Sequence, residues 1–97
     1  MEVFTGAGCG INDFEMTVTT VAAEITKSPM PGRKSLTLQN RGDDSVFVGS
    51  RGVAVGQGFE LGSGESMSFD YGEGIHLWAV TSNDQTSGSA LWVIEAA

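Results

Sequence analysis

The sequence predicts an all-β protein: a single-domain antiparallel β-sandwich, jelly-roll-like, of about eight short strands. Three observations carry this expectation. Short apolar/polar alternations recur along Arg33–Gly74 and again to the C-terminus, which is the period of a half-buried strand. Turn signals rich in Gly, Asp, Asn and Ser separate them every 8–12 residues or so, the spacing of a sandwich or barrel. After residue 30 no apolar spacing of helical period extends over a helix length.

Residues 1–13, MEVFTGAGCGIND, hold Gly at 6, 8 and 10 with no period. They read as an irregular N-terminal arm ahead of a domain spanning 14–97. The arm is either a frayed terminus or a segment that orders against a partner; Val3, Phe4 and Ile11, with Phe14 just beyond, are of little use to a flexible tail and stand as the candidate partner contacts. Residues 14–26, FEMTVTTVAAEIT, fit a helical face through Val18, Val21, Ala22 and Ile25. The consecutive β-branched run from Thr17 to Val21 favours strand instead. The alternation slips phase at Thr19-Thr20, which reads as a bulge or a tight bend. Ser28-Pro29-Met30-Pro31-Gly32 ends any regular element.

Strands are then expected over Lys34–Asn40 (Leu36 and Leu38 on one face), Ser45–Gly49, Gly52–Val55, Phe59–Leu61, Glu65–Tyr71, Ile75–Thr81 and Ser89–Glu95. Arg41-Gly42-Asp43-Asp44, Gly62-Ser63-Gly64 and Gly72-Glu73-Gly74 are the turns, and Ser82–Gly88 a polar loop. The last two strands are apolar on both faces. Leu77 and Ala79 oppose Trp78 and Val80; Leu91 and Val93 oppose Trp92 and Ile94. One face fills the core and the other needs cover, either from the chain's own N-terminal segment or from a neighbouring copy. A Trp-bearing surplus favours the copy, with Trp78, Val80, Trp92 and Ile94 at the interface.

The chain has 97 residues and a net charge of −7, one domain's length and the wrong sign for a nucleic-acid partner. Residues 1–51 hold five basic and six acidic side chains; the remainder holds six acidic and no basic ones. Any basic contact surface, Arg33 and Lys34 included, therefore comes from the first half, with the acidic half turned to solvent. No apolar run approaches membrane-span length, and MEVFTGAGCG has neither the basic flank nor the apolar core of a secretory leader. Cys9 is alone, so no intrachain disulfide is expected.

No catalytic, cofactor-binding or metal-ligating constellation is expected. His76 stands alone between Ile75 and Leu77, Ser63, Ser66 and Ser68 lack a nucleophile-elbow context, and one His with one Cys is too few for zinc. GAGCG and GQGFELGSG lack the Lys and following helix of a phosphate loop. Asp43-Asp44 and the Arg41-Gly42-Asp43 triplet read as a turn rather than as a calcium or adhesion site. Trp78, Trp92 and Tyr71 could offer aromatic faces to a sugar, but packing is the simpler reading.

The stretch RKSLTLQNRGDDSVFVGSRGVAVGQGFELGSGESMSFDYGEGIHLWAV, closing with GSALWVIEAA, resembles small β-sandwich virion proteins of tailed phages across residues 33–96. SLTLQN, SVFVG, the Gly-bounded GFELGSGES, LWAV and ALWVIE carry the likeness. The resemblance is to capsid decoration (cement) proteins and to knobs of head fibres or spikes. It implies a trimer on the virion exterior, made in the host cytoplasm. Its partner would be the major capsid protein, with a surface glycan as the alternative for a knob, bound through Tyr71 or an exposed Trp. No enzyme activity, cofactor, nucleic acid or membrane contact follows from it.

Overall fold

A computed structural model describes residues 10–26, 29–72, 74–82 and 89–97. They form eight strands: β1 (Ile11–Val18), β2 (Ala23–Glu24), β3 (Ser35–Asn40), β4 (Val46–Gly49), β5 (Phe59–Leu61), β6 (Ser66–Phe69), β7 (Trp78–Thr81) and β8 (Ser89–Ala96). Two antiparallel sheets of four result, sheet A in the order β1-β8-β3-β6 and sheet B in the order β2-β7-β4-β5. The pairings β1 with β8, β2 with β7, β3 with β6 and β4 with β5 nest inside one another. The chain is thus one long hairpin rolled up, and β3–β8 and β4–β7 are the lateral contacts that rolling creates. That winding is the jelly-roll arrangement of a β-sandwich.

The period-two pleat explains the sorting of residues. On β3, Leu36 and Leu38 are buried while Ser35, Thr37 and Gln39 are half-exposed. Val46 and Val48 of β4, Leu91 and Val93 of β8, and Val18, Leu61 and Ala79 complete the space between the sheets, with Ile25 and Leu77 at its edge. Each fully buried Leu or Val contributes about 1.5–3 kcal/mol. Phe14 and Met16, inward on β1, pack against this core beside Val93 and Leu91.

Several boundaries differ from those the sequence suggests. The phase slip at Thr19-Thr20 is the corner where the chain leaves sheet A for sheet B. There Thr19 Oγ1 accepts the Val21 N–H at 3.3 Å, a side-chain turn that breaks the ladder. Of the bulge and the tight bend expected at Thr19-Thr20, the structure has the bend, and the 14–26 segment is divided between β1 and β2. β1 also begins at Ile11, so residues 11–13 belong to the domain rather than to an arm; pairing with β8 satisfies their backbone.

Gly52–Val55 is not a strand. Val53 N–H bonds Ser50 O and Gln57 N–H bonds Ala54 O, making consecutive turns. Gly52, Gly56 and Gly58 sit at φ of 84°, 86° and 72°, outside the β region and open mainly to Gly. This is the tip of the long hairpin. Strand β7 starts only at Trp78, three residues later than expected. The expected turn residue Glu73 and loop residues 83–88 lie outside the described residues.

Candidate interaction surfaces

β8 is an interior strand of sheet A, so its outward side chains stand mid-face. Trp92 lies between Glu15 of β1 and Gln39 of β3, and Ile94 between Asp13 and Thr37. Both are half-buried. The Arg41 guanidinium sits 4.5 Å from the Trp92 ring centroid and its Nε donates to Gln39 Oε1 at 2.9 Å. A cation over the ring face is favourable and covers part of it. What remains is an apolar stripe one strand wide, bordered by carboxylates on one side and by hydroxyl and amide groups on the other.

β7 holds the equivalent position in sheet B. Trp78 lies between Glu24 and Gly49, and Val80 beside Phe47. Arg51 approaches the Trp78 ring at 5.8 Å, and His76 pairs with Glu24 at the border. Trp78 and Phe47 are half-buried. Val80 is only 3% exposed, so the single chain already covers it; as an interface residue it is corrected to a buried one.

Of the side chains expected to meet a partner, Lys34 is exposed and Ile11 is 64% exposed. Phe14 is half-buried and turns inward onto the core. Val3 and Phe4 lie outside the described residues. Arg33 is the main correction. It is 3% exposed and forms a buried ion pair, Nη1 to Glu95 Oε2, at 3.0 Å.

Its remaining donors reach Thr26 Oγ1 at 3.2 Å, Tyr71 O at 3.1 Å, and Gly72 O and Ile75 O at 2.7 Å each. Glu95 in turn accepts from Met30 N–H at 3.0 Å and Asn12 Nδ2 at 3.1 Å. One guanidinium therefore ties Thr26, the backbone of Tyr71, Gly72 and Ile75 and, through Glu95, strands β8 and β1 together at one end of the sandwich. A buried charge demands such a partner. The signal stood in the sequence: Glu95 follows Leu91 and Val93 at period two, in phase with the core. Reading it only as one of the acidic residues of a solvent-facing half missed it.

The first-half basic residues do not gather into a patch among the described residues. Arg33 is internal, and Arg41 and Arg51 lie on opposite outer faces. The Arg41-Gly42-Asp43 triplet is a turn after β3. Arg41 N–H donates to Ala90 O at 2.8 Å, Gly42 N–H to Asn40 Oδ1 at 2.9 Å, and Ser63 Oγ to Gly42 O at 2.7 Å. Among the described residues no group of three His, Cys, Asp or Glu side chains is placed to hold a metal ion.

Where β5 and β6 form neighbouring edges of the two sheets, three aromatic rings line up. Phe59 and Phe69 lie 5.6 Å apart and tilted, and Phe69 stacks on Tyr71 at 4.8 Å. Phe59 is 48% exposed. The strands had been expected here, but a ridge joining both sheets had not, because it depends on strand order.

Fold and surfaces together define a jelly-roll sandwich with a tryptophan-centred outer face on each sheet. No protein-family model, no curated protein and no solved structure matches this chain.

Proposed function

We propose that this chain is a structural assembly module: a trimeric decoration protein that binds the outer capsid of a tailed phage and stabilises the head. One observation carries the reading. A half-exposed tryptophan stands on the interior strand of both outer faces, Trp78 on sheet B and Trp92 on sheet A. Two such surfaces on opposite sides suit a brick with two different contacts, one to copies of itself and one to capsid. Burying either face gains about 25 cal/mol per Å² of apolar area, and three linked copies bind as one at high effective concentration. The resemblance of residues 33–96 to phage virion sandwiches supplies the biological setting.

The test is native mass across a dilution series, followed by co-sedimentation with capsids stripped of decoration. A trimer is expected. Of Trp78→Ser and Trp92→Ser, one should dissociate the trimer; the other should keep it and lose the capsid. A monomer at every concentration, indifferent to capsids, overturns the proposal. An arm-deletion control should stop at residue 9, because removing residues 1–13 cuts into β1 and removes Asn12 from Glu95.

The aromatic ridge of Phe59, Phe69 and Tyr71 favours a second reading, a glycan-binding knob of a head fibre or spike, since sugar rings stack on aromatic faces. A glycan array with wild type and Tyr71→Ala separates the two; specific binding lost in the variant selects the knob.

A further inference from the structure

Three of the four strands at sheet edges are very short: β2 has 2 residues, β5 has 3 and β6 has 4. Short edges are a standard protection against unwanted strand pairing. β1, the remaining edge, has 8 residues and pairs one-to-one with β8 throughout, with no bulge. It contains no Pro and no Lys, and its inward positions are Asn12, Phe14, Met16 and Val18. Of the usual blunting devices, the described residues show only the outward charges of Asp13 and Glu15.

The register states which backbone groups this edge offers. Ala97 N–H donates to Gly10 O at 3.0 Å, which makes Gly10–Ala97 a hydrogen-bonded pair. Antiparallel ladders alternate, so Asn12, Phe14, Met16 and Val18 exchange bonds with β8. Ile11, Asp13, Glu15 and Thr17 then direct N–H and C=O away from the sheet. The opposite side of β8 agrees, since Ala90 O accepts from Arg41 N–H on the β3 side. All four outward residues are exposed, and among the described residues no strand pairs with them.

We propose that the β1 edge is a docking site for an extended segment of a partner protein that adds a strand to sheet A and carries Lys or Arg at alternate positions, opposite Asp13 and Glu15. Backbone bonds supply the affinity and the two carboxylates the selection, which is the logic of β-strand addition. A second copy of this chain does not fit. In antiparallel self-pairing, every register that matches three or more of the four outward residues sets a carboxylate against a carboxylate, and like charges directly opposite are unfavourable. The site does not depend on the capsid reading; any partner with such a strand fits.

The test uses the ¹⁵N-labelled full chain and amide hydrogen exchange by NMR. In the free protein the amides of residues 12, 14, 16 and 18 should be protected and those of 11, 13, 15 and 17 should exchange fast. An end-blocked peptide alternating lysine with valine should slow the second set. The same peptide with glutamate for lysine, or with alternate backbone nitrogens methylated, should not.

Asp13→Lys with Glu15→Lys should weaken the lysine peptide about tenfold and admit the glutamate one, while protection at the even-numbered amides reports that β1 still pairs with β8. Odd-numbered amides already protected in the free chain would show the edge covered by the protein itself and overturn the proposal. So would failure of the lysine peptide to bind, or equal binding by the methylated one.

Discussion

Replacing Arg33 by Met tests whether the buried ion pair holds this end of the sandwich. The substitution keeps an apolar stem but removes every donor. Thr26 Oγ1, three backbone carbonyls and the Glu95 carboxylate lose a partner together. Among the described residues Glu95 then keeps the Met30 N–H and Asn12 Nδ2, too little for a carboxylate at 0% exposure. Breaking such a pair from one side costs about 3–5 kcal/mol. A chain of 97 residues has about 5–15 kcal/mol in all, so roughly a fifth or more of the stability goes. At about 4 kcal/mol the melting temperature falls by roughly 15–30 °C.

Urea unfolding followed by Trp78 and Trp92 fluorescence measures this directly, as a lower midpoint at unchanged slope. Arg33→Met with Glu95→Leu removes both charges at once. It should recover at least half of the loss, because the dominant cost in the single variant is one charge stranded in a dry interior. A single variant within about 1 kcal/mol of wild type would refute the reasoning. So would a double variant as unstable as the two singles summed.

Three further outcomes are expected. Gly58→Ala should cost about 3 kcal/mol and Gly64→Ala about 1 kcal/mol in thermal melts, since both have positive φ (72° and 80°) but only at Gly58 does an added Cβ run into the Val48 carbonyl. Asn40→Ala should cost about 2–4 kcal/mol, because its amide donates to Asp44 O and Leu61 O at 2.8 Å and its oxygen accepts Gly42 N–H. Asn40→Asp should be worse near neutral pH, placing a carboxylate against both carbonyls, and equal stability of the two variants would contradict that account. Leu91→Ala, fully buried between the sheets, should cost about 2–5 kcal/mol by equilibrium unfolding.

By itself the sequence determined the local elements. Period-two alternation in SLTLQN, SVFVG, FEL and ESMSF marks strands because a pleated chain has no other way to bury half its side chains on one side. Gly- and Asp-rich turns set their spacing, and the two-faced apolarity of LWAV and ALWVI anticipated that Trp78 and Trp92 would stand outside the core. Gly52–Val55 failed because its apolar residues sit among glycines whose positive φ the composition alone does not reveal.

Only the tertiary structure decided the partners. Strand order is non-local: β1 and β8 meet from opposite ends of the chain. A linear reading can place Glu95 in phase with the core but cannot supply its partner Arg33, 62 positions away, nor the long open edge of β1 or the Phe59–Phe69–Tyr71 ridge where edges of the two sheets meet. Arg33 looked like a surface charge because nothing near it in sequence is an acid. It is buried because rolling the hairpin brings Glu95 beneath it, and a charge withdrawn from water is tolerated where its counter-charge and hydrogen-bond acceptors are already in place.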